Sequence, residues 1–107
     1  MRLLEPEFTH SDNRRTITQL FSSKIEQVNI YNAKKDSVLG NHFHKETTEY
    51  FYILKGVLMV NDERILSKYS LFCFDPGERH TLLCITDVTF MTFLSKAYDQ
   101  SKPDIYR

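Results

Sequence analysis

The sequence predicts an all-β fold, an antiparallel sandwich or barrel. Three observations predict it. Apolar and polar residues alternate with a period of two over short runs, turn signals separate those runs at short intervals, and no stretch carries the 3.6-residue spacing of an amphipathic helix.

The elements follow in order. The N-terminal stretch is polar; it contains His10, to which no role is assigned. From Arg15 to Phe21, Ile17 and Gln19 alternate with Thr16, Thr18 and Leu20. From Lys24 to Tyr31 the alternation is cleaner, with Ile25, Gln27 and Asn29 on one side and Val28 and Ile30 on the other. Asn32 to Asp36 is turn material ahead of a strand carrying His42 and His44. Glu49 to Lys55 and Val57 to Asn61 flank Gly56 as a hairpin. Asn61-Asp62-Glu63-Arg64 makes the next turn and Ile65-Leu66 a short strand. Leu71 to Phe74, Thr81 to Thr86 and Val88 to Ser95 complete the set. Phe72, Phe74, Phe90 and Phe93 read as barrel filling. Tyr50 and Tyr52 point away from the face of Glu49 and read as a second packed surface, a contact of a homodimer. No repeat or linker interrupts the chain, so residues 1–107 read as one domain.

Composition narrows the function classes. Lys+Arg and Asp+Glu both number 14, and no basic stripe marks a nucleic-acid footprint. The apolar runs are too short to span a membrane, and the start Met1-Arg2-Leu3-Leu4-Glu5-Pro6 lacks the apolar core of a signal peptide. Cys73 and Cys84 lie within apolar runs without metal-ligand spacing, and read as reduced, buried residues of a cytoplasmic protein.

Chemistry-bearing residues cluster in two segments. Three of the four histidines, His42, His44 and His80, and all three glycines, Gly40, Gly56 and Gly77, fall within or beside Gly40–Glu49 and Pro76–His80. On a strand, His42 and His44 share one face, close enough to bind one divalent ion. Glu49 lies an odd five residues beyond His44, so Lys45-Glu46-Thr47-Thr48 must bend or bulge for it to face the same point. Beyond it Phe51 and Ile53 share its face. His80 follows the turn signal Asp75-Pro76-Gly77 on a separate strand. Nitrogen and carboxylate donors without thiolate suit Zn, Fe, Mn, Ni or Cu. The same histidines also suit a metal-free acid/base pair, His42 with His44.

The spacing resembles the two motifs of the cupin superfamily, of the RmlC-like kind. The pattern H-x-H, four residues, E, six residues, G is matched by His42, His44, Glu49 and Gly56, and G-x-x-H by Gly77 and His80. The resemblance implies a double-stranded β-helix, a jelly-roll-like barrel, with His42, His44, Glu49 and His80 as metal ligands. The departures are Asp36 and Tyr69 at the family's leading glycines, Asp75 at its first proline and Cys84 at its closing asparagine.

More finely, Val38–Lys45 with Glu49-Tyr50-Phe51, the opening layout and the ending Ala97–Tyr106 are similar to cupin domains of surface-polysaccharide enzymes. These are nucleotide-sugar epimerases and ketoisomerases, including the C-terminal domain of a capsular sugar epimerase/reductase. The resemblance implies an isomerase moving a proton beside a keto group of a nucleotide-linked sugar, metal-assisted or, as in metal-free ketoisomerases, through histidine. Those domains carry Arg-Gly before the histidine where this chain has Leu39-Gly40-Asn41; Lys45 and Arg79 are the candidate replacements, against their plainer reading as solvated charges. Fold and ligands alone also admit a non-catalytic metal- or sugar-binding cupin and an Fe(II)-dependent dioxygenase.

Overall fold

The computed structural model describes residues 1–107 and contains strands and no helix. The strands are β1 (Arg2–Leu3), β2 (Phe8–Ser11), β3 (Thr16–Gln19), β4 (Gln27–Ala33), β5 (Val38–His42), β6 (Glu49–Lys55), β7 (Leu58–Val60), β8 (Arg64–Leu66), β9 (Leu71–Phe74), β10 (His80–Cys84) and β11 (Val88–Leu94). A five-stranded sheet has the order β1-β9-β6-β11-β4 and a four-stranded sheet the order β5-β10-β7-β8. From β4 onward the chain passes back and forth between these sheets, save at the β7–β8 hairpin within the smaller one, and the pairings are antiparallel, which is a jelly-roll-like arrangement.

Period-two patterning places the core between the sheets. In β6, Phe51 and Ile53 are buried while Tyr50 and Tyr52 are half-buried; β11 buries Val88, Phe90, Thr92 and Leu94 in the same rhythm. Cross-strand partners share a face, so Asn29, Thr92, Phe51 and Phe72 form one inward row, and Gln27, Leu94, Glu49 and Phe74 the next. Each fully buried Phe, Leu or Ile contributes roughly 1.5–3 kcal/mol, so the scaffold rests on Phe51, Ile53, Leu58, Phe72, Phe74, Leu82 and Phe90 rather than on polar groups.

Phe72, Phe74 and Phe90 fill the core as expected, but Phe93 does not. It points outward beside Tyr50, and both pack on Phe21, at 5.3 and 4.5 Å between ring centroids. Tyr50 and Tyr52 do project from the face opposite Glu49, with Tyr50 already covered by its own chain. The strand expected over Arg15 to Phe21 shortens to β3, which pairs only with β2 in a ribbon whose residues are all exposed. β2 and β1 carried no readable alternation and were not expected. β4 starts three residues later than expected and runs through Asn32 and Ala33, because Tyr31, Asn32 and Ala33 all find partners on β11.

Gly56 is required where the β6–β7 turn meets the β10–β11 turn. Its φ is +94°, and a Cβ there would stand 2.2 Å from the carbonyl oxygen of Asp87.

Candidate functional site

The site begins at the free edge of the small sheet. Gly40 and Asn41 on β5 both have left-handed backbones, with φ of 83° and 62°. Opposite them the register slips between His80 and Thr81, so that His80 faces His42 and Thr81 faces Gly40. This bulge aims both histidines at one point, and their ring centroids are 4.6 Å apart.

β5 ends at His42, so His44 does not share a strand face with it. His44 instead lies in the segment that crosses from the small sheet to the large one, with a bend at Lys45 and Glu46. Its ring still comes within 5.1 Å of His42. Glu49 opens β6 on the facing sheet, so the odd spacing is resolved by the crossover. All four side chains predicted from the sequence therefore converge, one donor atom from each lying within 4.8 Å of the others. His44, Glu49 and His80 are buried and His42 is half-buried.

Glu49 Oε1 lies 3.0 Å from His44 Nε2 and 3.4 Å from His80 Nε2. Burial raises the Glu49 pKa, but hydrogen bonds and charge from His44 and His80 prevail and bring it down to about 2. Burial, reinforced by His80 and His44, lowers His42 to about 4. For His44, burial pulls downward, yet the contacts with Glu49 and the Asp104 carbonyl outweigh it and the net shift is upward.

The donors fit a metal ion. His44 Nδ1 meets the backbone carbonyl of Asp104; a carbonyl only accepts, so Nδ1 carries the hydrogen. Nε2 then faces the Glu49 carboxylate, and a lone pair at 3.0 Å from that oxygen is repelled unless a cation lies between them. Either a proton or a divalent ion satisfies the pair. Donor–metal distances of about 2.0–2.2 Å match this cluster after a small inward closure of its widest pair. His80 Nδ1, by contrast, is buried without a hydrogen-bond partner, and its ring is held by stacking on Phe74 at 4.6 Å.

The cluster lies in a cavity of about 200 Å³. This is less than the roughly 300–1,000 Å³ that encloses a drug-sized ligand. Gln27, Asn29 and Tyr31 of β4 line it, with Tyr98 and Ile105 from the C-terminal segment. None of these was identified as a site residue from sequence. The available signal was the reversed alternation of β4, where Gln27 and Asn29 face inward while Val28 and Ile30 are 53% and 61% exposed. Gln27 Oε1 accepts from the Tyr98 backbone N–H at 2.8 Å, and Asn29 Nδ2 donates to Thr92 Oγ1 at 3.3 Å.

Lys45 and Arg79 lie beside β5, exposed and without a carboxylate partner. Lys45 Nζ sits over the Tyr106 ring at 4.2 Å, and Arg79 donates to the Asn41 carbonyl at 3.2 Å. His10 stays on the exposed β2–β3 ribbon beside Phe8. Cys73 and Cys84 are free and buried. No helix is long and apolar enough to cross a membrane.

No family model matches the sequence. The chain is 24% identical over 111 residues to UDP-2-acetamido-2,6-beta-L-arabino-hexul-4-ose reductase of Pseudomonas aeruginosa, across 91% of this chain and 30% of that protein. The capsular polysaccharide assembling protein CapF of Staphylococcus aureus superposes with a TM-score of 0.63 at 23% identity, over 98% of this chain and 34% of CapF. The sugar 3,4-ketoisomerase QdtA of Thermoanaerobacterium thermosaccharolyticum, solved in complex with TDP, gives 0.74 at 20% identity, over 99% of this chain and 86% of QdtA. The rmlC epimerase of Mycobacterium tuberculosis gives 0.70 at 18% identity, over 95% and 71%. The chain thus spans about a third of the reductase and of CapF and most of the other two. Its fold is the RmlC-like cupin fold.

Proposed function

We propose that this RmlC-like cupin is a sugar epimerase or ketoisomerase, holding one divalent metal ion on His42, His44, Glu49 and His80 and acting on a nucleotide-linked keto sugar. The observation that carries the reading is the convergence of three imidazoles and one carboxylate on the floor of a cavity with a polar wall. The structural likeness to an epimerase and to a ketoisomerase in complex with TDP supports the substrate class.

Held by His42, His44, Glu49 and His80, a divalent ion would supply positive charge to stabilise a carbonyl oxygen and so acidify the carbon beside it. The chain's own residues then have distinct tasks. The carboxamides of Gln27 and Asn29 offer hydrogen bonds to sugar hydroxyls. Phe51, Leu82 and Phe90 keep water from the reacting carbon. Burial, with the charge of Glu49 behind it, raises the Tyr31 hydroxyl, so it stays protonated at neutral pH and serves as a donor. The nucleotide lies outside the cavity, where Lys45 and Arg79 present unpaired positive charge.

A second reading is metal-free, with His42 as base and His44 as its acid partner. It is favoured by the His44–Glu49 pair, which a proton alone satisfies. We further propose that residues 1–107 act as one cupin unit in the cytoplasm and pair as a homodimer through the outer face of the large sheet.

Elemental mass spectrometry of purified protein beside His44→Ala separates the two readings. About one ion per chain, lost in the variant, is expected of the metal centre; none, even after metal addition, moves the chemistry to His42 and His44. Deuterium uptake from D2O beside the carbonyl of a nucleotide-linked 4-keto sugar, followed by NMR, then tests catalysis. A metal-loaded protein that catalyses no exchange is a binding protein.

A further inference from the structure

The rings of His42, His44 and His80 are not held alike. His80 Nδ1 has no partner, and no hydrogen bond to another residue fixes the His42 ring. Only His44 is tied from behind, through Nδ1 to the backbone carbonyl of Asp104, 60 residues further along the chain.

That carbonyl is itself fixed. The Asp104 carboxylate accepts from the backbone N–H groups of Lys45 and Glu46 at 2.8 and 2.9 Å and from Thr47 Oγ1 at 2.8 Å. Two residues on, Tyr106 exchanges both backbone hydrogen bonds with Phe43 at 2.9 Å. The segment around Asp104 is therefore fastened to both sides of His44, to Phe43 before it and to Lys45, Glu46 and Thr47 after it. Thr47 is 3% exposed, so its hydroxyl has no access to bulk water as an alternative partner.

The chemical consequence concerns the tautomer. A free neutral imidazole prefers its proton on Nε2. A carbonyl facing Nδ1 reverses that preference, placing the hydrogen on Nδ1 and turning the Nε2 lone pair toward Glu49 and the cluster. We infer that Asp104 is the positioning residue of the site: its carboxylate locks the 43–47 crossover so that its carbonyl sets the tautomer and ring direction of His44. This rests on the proposed metal centre for its purpose, though not for its geometry. Ile105 also lines the cavity, so the same clamp shapes the pocket wall.

The test compares Asp104→Ala, Asp104→Asn and Thr47→Val with Glu46→Ala, which breaks only the exposed Lys96–Glu46 pair on the same crossover. Two quantities are read: the Zn²⁺ dissociation constant by chelator competition, and the imidazole 15N spectrum of His44. Asp104→Ala is expected to bind Zn²⁺ about 10–100-fold more weakly and to lose the slowly exchanging Nδ1 proton. Asp104→Asn, which retains one acceptor oxygen, should recover part of both, and Glu46→Ala should match wild type. A general loss of stability would not change which nitrogen carries the proton. Should Asp104→Ala fail to fold, Thr47→Val, which removes one hydrogen bond at constant shape, carries the same comparison with a smaller loss.

Wild-type affinity within about twofold and an unchanged Nδ1 proton in Asp104→Ala, or in Thr47→Val if that variant stands in, would overturn the inference. If wild type binds no Zn²⁺, the metal centre fails separately. The Nδ1 proton of the metal-free protein then decides: present in wild type and lost in Asp104→Ala upholds the clamp, and present in both or absent from both refutes it.

Discussion

The backbone at Gly40 approaches His80 so closely that a Cβ at position 40 would stand 2.8 Å from the His80 carbonyl oxygen. The obstacle is backbone, not the end of a flexible side chain, so it cannot swing away. Gly40→Ala must also hold a φ of +83°, which costs an L-residue roughly 1–2 kcal/mol. β5 would have to withdraw from β10, separating His42 from His80. The expected outcome is a lower Tm together with weakened Zn²⁺ binding, read by thermal unfolding and chelator competition. Unchanged values for both would show that the close approach has no part in building the site.

The four clustered side chains were legible in the sequence because their convergence needs only two features, a spacing and a turn before His80. The route was less legible. His44 and Glu49 meet through a crossover between sheets, which looks in sequence like a bend within a strand. The polar wall was hidden because β4 inverts the usual rule, turning Gln27 and Asn29 inward and leaving Val28 and Ile30 outside. Asp104 was hidden for a different reason. Its partners lie about 60 residues away and involve backbone groups, which leave no periodicity to read. The β2–β3 ribbon buries nothing, so burial imposed no pattern there.

In the metal-free protein, His42 sets a specific pH dependence. Burial first, then His80 and His44, bring its pKa from 6.5 to about 4. Between those values the unfolded chain binds a proton that the folded chain refuses, so stability rises with pH across the window and is lost as pH falls from 6.5 toward 4. His44 acts in the opposite sense. Its raised pKa gives stability that is complete below 6.5 and lost as pH rises through the folded value. Glu49, held at about 2, contributes above 4.5 and loses its share only as pH falls below that. With a chelator present, His42→Asn should therefore lose less Tm than wild type between pH 7 and pH 4.5. Parallel curves would contradict the assignment.

The two places where the chain departs from the glycines of the cupin motifs, Asp36 and Tyr69, both have φ of 72°. Asp tolerates this backbone, while for a bulky aromatic residue it is a true outlier. Tyr69 is 64% exposed, so its stacking on Tyr52 at 6.3 Å and its contact with Lys68 return little. Against a strain of about 1–2 kcal/mol, glycine costs about 0.5–1 kcal/mol of unfolded-state entropy. Tyr69→Gly is expected to raise Tm by about 2–5 °C, and Asp36→Gly by less. A fall in Tm on Tyr69→Gly would mean that the Tyr52–Tyr69 contact outweighs the strain.

The proposed homodimer has a definable surface. Ile30 pairs with Met91 and Met91 with Tyr52, and Val28 pairs with Phe93 and Phe93 with Tyr50, so these residues form two adjacent rows on the outer face of the large sheet. Phe21 covers Tyr50 and Phe93, while Val28 and Ile30 remain open at the edge strand β4. In a two-fold pairing each substitution enters the interface twice. Burying an isoleucine is worth about 1.5 kcal/mol at the lower end, so Ile30→Glu removes about 3 kcal/mol, which is more than 100-fold in the dimer dissociation constant. Light scattering behind size exclusion should show wild type as a dimer and Ile30→Glu as a monomer at the same concentration. The substitution lies outside the cavity, so Zn²⁺ binding should survive it. A monomeric wild type, or a variant that stays dimeric, would move the partner surface elsewhere.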